Sequence, residues 1–154
     1  MSGSTILKSN PISVLLAEDD PDDRMLTRRA FEVSELNSEL RTVENGEDLI
    51  QYLRKEGKYA GVREAPRPGL ILLDLNMPRL DGRDALRTIK SDSDLRRIPV
   101  VVFTTSDATH DITQCYDLGA NAFVTKPVTF DGLQSAIQRL GAFWFEVANL
   151  PVEI

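Results

Sequence analysis

A chain of 154 residues with 42% apolar and 27% charged positions has the length of one domain and the composition of an ordinary globular protein, which buries ~70% of its unfolded surface on folding. Its net charge of −6 argues against a nucleic-acid or anionic-membrane surface, since both need clustered Lys and Arg. No apolar run approaches the ~20 residues of a membrane span, no signal-peptide core opens the chain, and the single cysteine, Cys115, excludes an internal disulfide; the expected setting is cytoplasmic.

Residues 1–10 are small and polar and are expected to form a flexible N-terminus, with one domain over 11–151. Positions 12–17 make the first apolar run, read as a strand and closed by Glu18, Asp19 and Asp20. Pro21 suits a first helical position, Asp20 its N-cap, and Asp22 and Asp23 the positive end of the helix dipole. Met25, Leu26, Ala30, Phe31 and Val33 recur at helical spacing up to about residue 36. A strand over 40–44 and a helix over 47–56 follow, joined by Asn45-Gly46. The stretch 57–69, rich in Gly, Pro and mixed charge, reads as an extended surface loop too polar to pack.

The run 70–74 predicts a third strand ending on Asp74, and 81–90 a third helix. Residues 98–103 are apolar and rich in β-branched side chains, a fourth strand. Ser106 and Asp107 can cap a helix through Leu118, which Gly119 terminates. A fifth strand spans 120–124, and a last helix runs from Phe130 to about Asn149. Five strands alternating with five helices imply an α/β domain, a doubly wound parallel sheet covered on both faces. The lone His110 cannot build a metal cluster and is expected in solvent or at a cap.

The polar residues at the strand ends carry the chemistry. Strand one ends in Glu18 and Asp19, strand three in Asp74, strand four in Thr104-Thr105, and strand five in Thr125-Lys126. In a doubly wound sheet these carboxyl ends open on one rim. Carboxylates gathered there repel unless a cation sits among them, and hard oxygen ligands suit Mg²⁺. Lys126 balances remaining charge and Thr104 adds a neutral donor. That inventory suits a phosphoryl group arriving on Asp74, with the carboxylate as nucleophile.

Four segments, L-L-A-E-D-D-P, L-I-L-L-D-L-N-M-P-R-L-D-G, P-V-V-V-F-T-T-S and A-N-A-F-V-T-K-P, resemble the receiver domain of two-component response regulators across about residues 12–140. The resemblance implies a flavodoxin-like fold with strand order 2-1-3-4-5. It implies that Asp74 accepts a phosphoryl group from a sensor histidine kinase, and that Mg²⁺ is held by Asp19, by Glu18 through water, by Asp74 and by the Asn76 backbone carbonyl. It gives Thr104 and Lys126 to the phosphoryl oxygens and makes Thr104 and Phe123 the switch pair; Phe123 lacks the hydroxyl of the Tyr often found there. Weak autodephosphorylation is expected, but no metabolic enzyme activity.

Large apolar groups sit on and beyond the last helix. Ile137, Leu140 and Trp144 share a stripe that reads as core, whereas Phe143, Val147 and Leu150 also need cover. Either the helix docks wholly on its own domain, or Phe143, Trp144 and Val147 form a homodimer interface. This F-W…V-x-L-P ending, with the long loop before strand three, resembles the stand-alone response regulators that partner phytochromes, which dimerise through their fourth and fifth helical faces. Two other readings stay open: a receiver-like binding module that is never phosphorylated, and an aspartyl-phosphate phosphatase of the haloacid dehalogenase kind. The latter wants a second Asp two residues after the nucleophile, where Asn76 stands.

Overall fold

The computed structural model describes residues 10–61 and 65–151. The expectation of a flexible N-terminus over residues 1–10 lies outside the described residues except at Asn10, which is exposed. In chain order the elements are β1 (Ile12–Ala17), α1 (Pro21–Val33), β2 (Ser38–Val43), α2 (Gly46–Arg54), β3 (Leu70–Leu73), α3 (Gly82–Ser91), β4 (Val100–Thr104), α4 (Thr109–Asp117), β5 (Ala122–Thr125) and α5 (Phe130–Gly141). All strand pairings are parallel, and the sheet order is β2-β1-β3-β4-β5, as expected.

Strand alternation sorts the apolar side chains into two cores. Val14, Leu16, Leu70, Leu72, Val101 and Phe103 meet Ala30 and Phe31 of α1 and Leu133 and Ile137 of α5. Their alternates, Leu15, Ala17, Ile71, Leu73, Val100 and Val102, meet Leu49 of α2, Leu86 and Ile89 of α3 and Cys115 of α4. Each of these residues thus has cover on its own face, which is why 14–17, 70–73 and 100–103 read as unbroken apolar runs. Helices leave β1 and β3 toward opposite faces. The two strands are neighbours, so a crevice opens between their carboxyl ends, where such sheets place ligands.

Several boundaries differ from the sequence reading. Ile98 closes a 3₁₀ turn over Leu95–Arg97 instead of starting β4. Helix α4 begins after Ala108 without a side-chain cap; the Ser106 hydroxyl accepts the Ala108 N–H at 3.3 Å but donates to Asp111 at 2.6 Å. The long loop is not all surface: Tyr59, on a 3₁₀ turn, stands edge-on to Tyr52 with ring centroids 5.2 Å apart. The Tyr52 hydroxyl donates to the Pro66 carbonyl at 3.0 Å, and Ala65 is buried. Two aromatics supply apolar cover that the polar composition concealed.

The last helix changes its winding. It is α-helical to Gly141 and π-helical over Ala142–Val147, closed by the Ala148 N–H on the Phe143 carbonyl at 2.7 Å. With this wider turn, Trp144 and Phe145 both pack against the core shared by α1 and α5, while Phe143 and Val147 remain exposed. Leu150 turns back toward Gly69 at the start of β3, within 3.3 Å of where a Cβ would stand.

Gly82 sets how closely α3 approaches the end of β3. Its N–H donates to the Leu75 carbonyl at 2.8 Å, and a Cβ there would collide with the Asp74 carbonyl oxygen and lie 2.6 Å from Leu75 Cα. Backbone cannot yield as a flexible side chain can. Gly82→Ala should therefore lower stability by about 1–3 kcal/mol, the usual range for forced overpacking. A urea unfolding curve with an unchanged midpoint would contradict this account of the packing.

Candidate functional site

The sheet register brings the acids together. Ala17 of β1 pairs with Leu73 of β3, so Glu18 and Asp74 each lie one residue past that pair. The ladder continues into the rim: the Asp74 N–H donates to the Ala17 carbonyl at 3.1 Å, and the Glu18 N–H to the Val43 carbonyl at 3.0 Å. Side-chain oxygens of Glu18, Asp19 and Asp74 all lie within 4.8 Å of one another. Glu18 and Asp74 are buried, and Asp19 faces solvent. Such a set of hard oxygen donors, partly open to water, fits a small divalent cation that keeps some of its waters.

Thr104 and Lys126 reach the same rim from β4 and β5. Thr104 pairs with Thr125 at the end of both strands, and the Lys126 N–H donates to the Thr104 carbonyl at 2.6 Å. Lys126 is buried; its ammonium forms an ion pair with Glu18 and lies 3.5 Å from Asp23. Burial opposes both charges of the pair. It lifts Glu18 to about 7 despite the Lys126 ammonium, with the Asp74 charge adding to the rise. Burial alone would lower Lys126, but the Glu18 hydrogen bond and the charges of Asp74, Glu18 and Asp23 outweigh it and raise its pKa. The ammonium is the firmer charge of the two, since carboxylates surround it on several sides.

The Thr104 hydroxyl is fully buried and has no hydrogen-bond partner. A buried hydroxyl left unpaired costs about 1–3 kcal/mol, and this one sits on the rim that Lys126 and the acids share. Asp74 Oδ1 accepts the Leu75 N–H at 2.9 Å, which fixes the rotation of the carboxylate. Asn76 is exposed two residues farther along the same connection. Beyond it, Arg79 and Leu80 have φ of 60° and 139°, left-handed backbone that costs on the order of 1–3 kcal/mol per residue.

Phe123 is half-buried on β5 and packs on the core shared by α2, α3 and α4. Its backbone N–H donates to the Tyr116 hydroxyl at 3.2 Å, a partner the sequence reading missed. Also missed was a polar bridge across α3 and α4. Arg83 pairs with Asp81 at 3.3 Å and Asp111 at 2.9 Å, and its Nε donates to Gln114 at 3.2 Å. The Ser106 hydrogen bond first, then Arg83, hold the Asp111 carboxyl below the usual carboxylate range. Charges 28 residues apart leave no short-range signal. His110 is exposed, as expected.

Residues 14–138 match the response regulator receiver domain family. The chain is 40% identical over 145 residues to the response regulator Rcp1 of Synechocystis sp., covering 94% of this chain and 97% of that one. Among solved structures, the phosphorylated cyanobacterial phytochrome response regulator RcpA superposes with a TM-score of 0.85 at 42% identity, covering 92% of this chain and 99% of that one. The Mn²⁺-bound form of Rcp1 gives a TM-score of 0.83 at 39% identity, with 92% and 100% covered. No helix among the described residues is long and apolar enough to cross a membrane. The parallel sheet, the acids at its switch point and these likenesses lead to one assignment: the chain belongs to the response regulator receiver domain family, is homologous to the phytochrome response regulators Rcp1 and RcpA, and so takes part in two-component signalling.

Proposed function

We propose that Asp74 is the phosphoacceptor and that a phytochrome-type sensor histidine kinase is the donor. The observation that carries this reading is the buried, unpartnered Thr104 hydroxyl beside Lys126 and the three-carboxylate cluster. With Oδ1 held by the Leu75 N–H, the other Asp74 oxygen attacks phosphorus. An O–P bond forms as the N–P bond of the kinase phosphohistidine breaks, and the departing imidazole takes a proton from solvent. Lys126 has three donors, so it can keep Glu18 and still reach a phosphoryl oxygen. The Thr104 hydroxyl donates to another. Glu18, Asp19, Asp74 and the Asn76 carbonyl would hold Mg²⁺, which supplies charge neutralisation for the phosphoryl oxygens when bound. Attack by water on the same phosphorus breaks the Asp74 O–P bond, releases inorganic phosphate and slowly returns Asp74 to its free carboxylate.

The kinase surface lies beside the acceptor. Leu26 and Val128, both exposed, line a cavity of about 200 Å³ that Lys126 also borders. An apolar rim next to the reacting group fits a protein surface that presents the phosphohistidine. Farther away, Phe143 and Val147 are exposed on the π turn, and we assign that edge to a second copy of the chain, as in the stand-alone regulators it resembles. Trp144 supports the edge from the core side.

With acetyl phosphate and Mg²⁺, Asp74→Asn should lose all labelling while its circular dichroism is unchanged; label retained at wild-type level would remove Asp74 from the role. Val128→Asp should slow transfer from a phosphorylated kinase about tenfold or more, with acetyl phosphate labelling intact. Equal losses with both donors would mean the residue supports the site and not the docking. Phe143→Glu combined with Val147→Glu should halve the mass seen by light scattering, and identical masses for variant and wild type would exclude that edge as the dimer contact.

A further inference from the structure

The carboxylates of Glu18 and Asp19 project from a three-residue connection between β1 and α1. Their mutual repulsion has to be resisted by the backbone that carries them. The first helical acceptor is the Asp20 carbonyl, which takes the Arg24 N–H at 2.9 Å, so the carbonyls of Glu18 and Asp19 lie outside the helix. The Arg24 side chain engages both: Nη1 donates to the Glu18 carbonyl at 2.9 Å and to the Asp19 carbonyl at 3.3 Å. Nη2 pairs with Glu44, just past β2, at 3.0 Å. The guanidinium is mostly shielded, at 19% side-chain exposure. One planar group thus ties the acid-bearing connection to α1 and to the neighbouring strand end.

We propose that Arg24 is a positioning residue for the divalent-cation site, fixing the backbone from which Glu18 and Asp19 project. This rests on the reading that those acids, with Asp74, hold the cation. Two effects of losing Arg24 have opposite signs, and that makes the role separable. Removing a positive charge near three carboxylates would by itself strengthen cation binding. Freeing the connection lets the carboxylates spread, which weakens it. Glu44 offsets the guanidinium charge, so positioning is the larger effect. A lysine keeps the charge but lacks the planar fork that reaches two carbonyls and a carboxylate together.

Titration of the metal-free protein with Mn²⁺ alone, followed by calorimetry, tests this. Arg24→Ala should bind on the order of tenfold more weakly, the low end for loss of an outer-shell partner. Arg24→Lys should also weaken, Glu44→Gln less so, and Asp19→Ala should lose binding. Labelling of Arg24→Ala by acetyl phosphate should recover at saturating Mn²⁺, which a damaged fold would not do. Should Arg24→Ala not fold, Arg24→Lys and Glu44→Gln carry the test, and wild-type affinity in both would overturn the proposal. Binding by Arg24→Ala as tight as wild type or tighter, with Asp19→Ala deficient, would overturn it while leaving the site intact. No Mn²⁺ binding by wild type, or full binding by Asp19→Ala, would overturn the site and this role together.

Discussion

Like charges crowded at the edge of a sheet govern the rest of this molecule. Two unit charges about 4 Å apart near a protein surface interact by about 4 kcal/mol, and Glu18, Asp19 and Asp74 bring three carboxylates into that range. The chain answers with a buried ammonium from the far side of the sheet. Lys126 reaches Glu18 from 108 residues away, and its backbone N–H is joined to β4 at the same level. Breaking a buried pair by removing one partner typically costs 3–5 kcal/mol, because an uncompensated charge remains. The parallel order that sets β3 between β1 and β4 is therefore the geometry that lets this charge cluster exist in a folded protein.

The two-sided cover of the sheet serves that geometry. Because β3 is buried on both faces, with Leu70 and Leu72 in one core and Ile71 and Leu73 in the other, its end cannot shift without disturbing both. Asp74 inherits that rigidity. The connection that follows is the opposite case, with left-handed backbone at Arg79 and Leu80 and no room for a Cβ at Gly82. A rigid strand end beside a strained turn places the carboxylate firmly, next to Asp19, which faces solvent.

Much of this was legible before any coordinates. Strands buried on both faces announce themselves as unbroken apolar runs, and polarity begins where each strand emerges, so Glu18, Asp74, Thr104 and Lys126 stood out by position alone. Sheet order followed from the alternation of strands and helices together with the family resemblance. What stayed hidden depends on separation in sequence or on side-chain fit. Tyr52 and Tyr59 cover part of a loop that composition marks as polar, since two rings outweigh many charges in packing but not in a composition count. The π turn at Ala142–Val147 also left no mark, because three aromatics in a row satisfy a helical stripe whichever way the turn is wound. Nor could Arg83, a helical residue with polar neighbours, be told from a solvated charge until Asp111 and Gln114 stood opposite it.

The connection from β4 to α4 is where these constraints meet. Thr104, whose hydroxyl lacks a partner, is two residues from Ser106, and Ser106 is held on both sides. Its carbonyl accepts the Thr125 hydroxyl at 3.1 Å, and its own hydroxyl donates to Asp111, which Arg83 ties to the start of α3. Any movement of Thr104 toward a group on Asp74 has to pull on that chain of bonds or break it. Satisfying one buried hydroxyl gains about 1–3 kcal/mol, while a part-exposed ion pair contributes no more than about 1 kcal/mol. The hydroxyl's gain therefore outweighs the ion pair alone, and the two Ser106 hydrogen bonds make up part of the difference. A ligand that satisfied the Thr104 hydroxyl would need to favour a shifted segment by only a few kcal/mol to change which bonds this connection keeps.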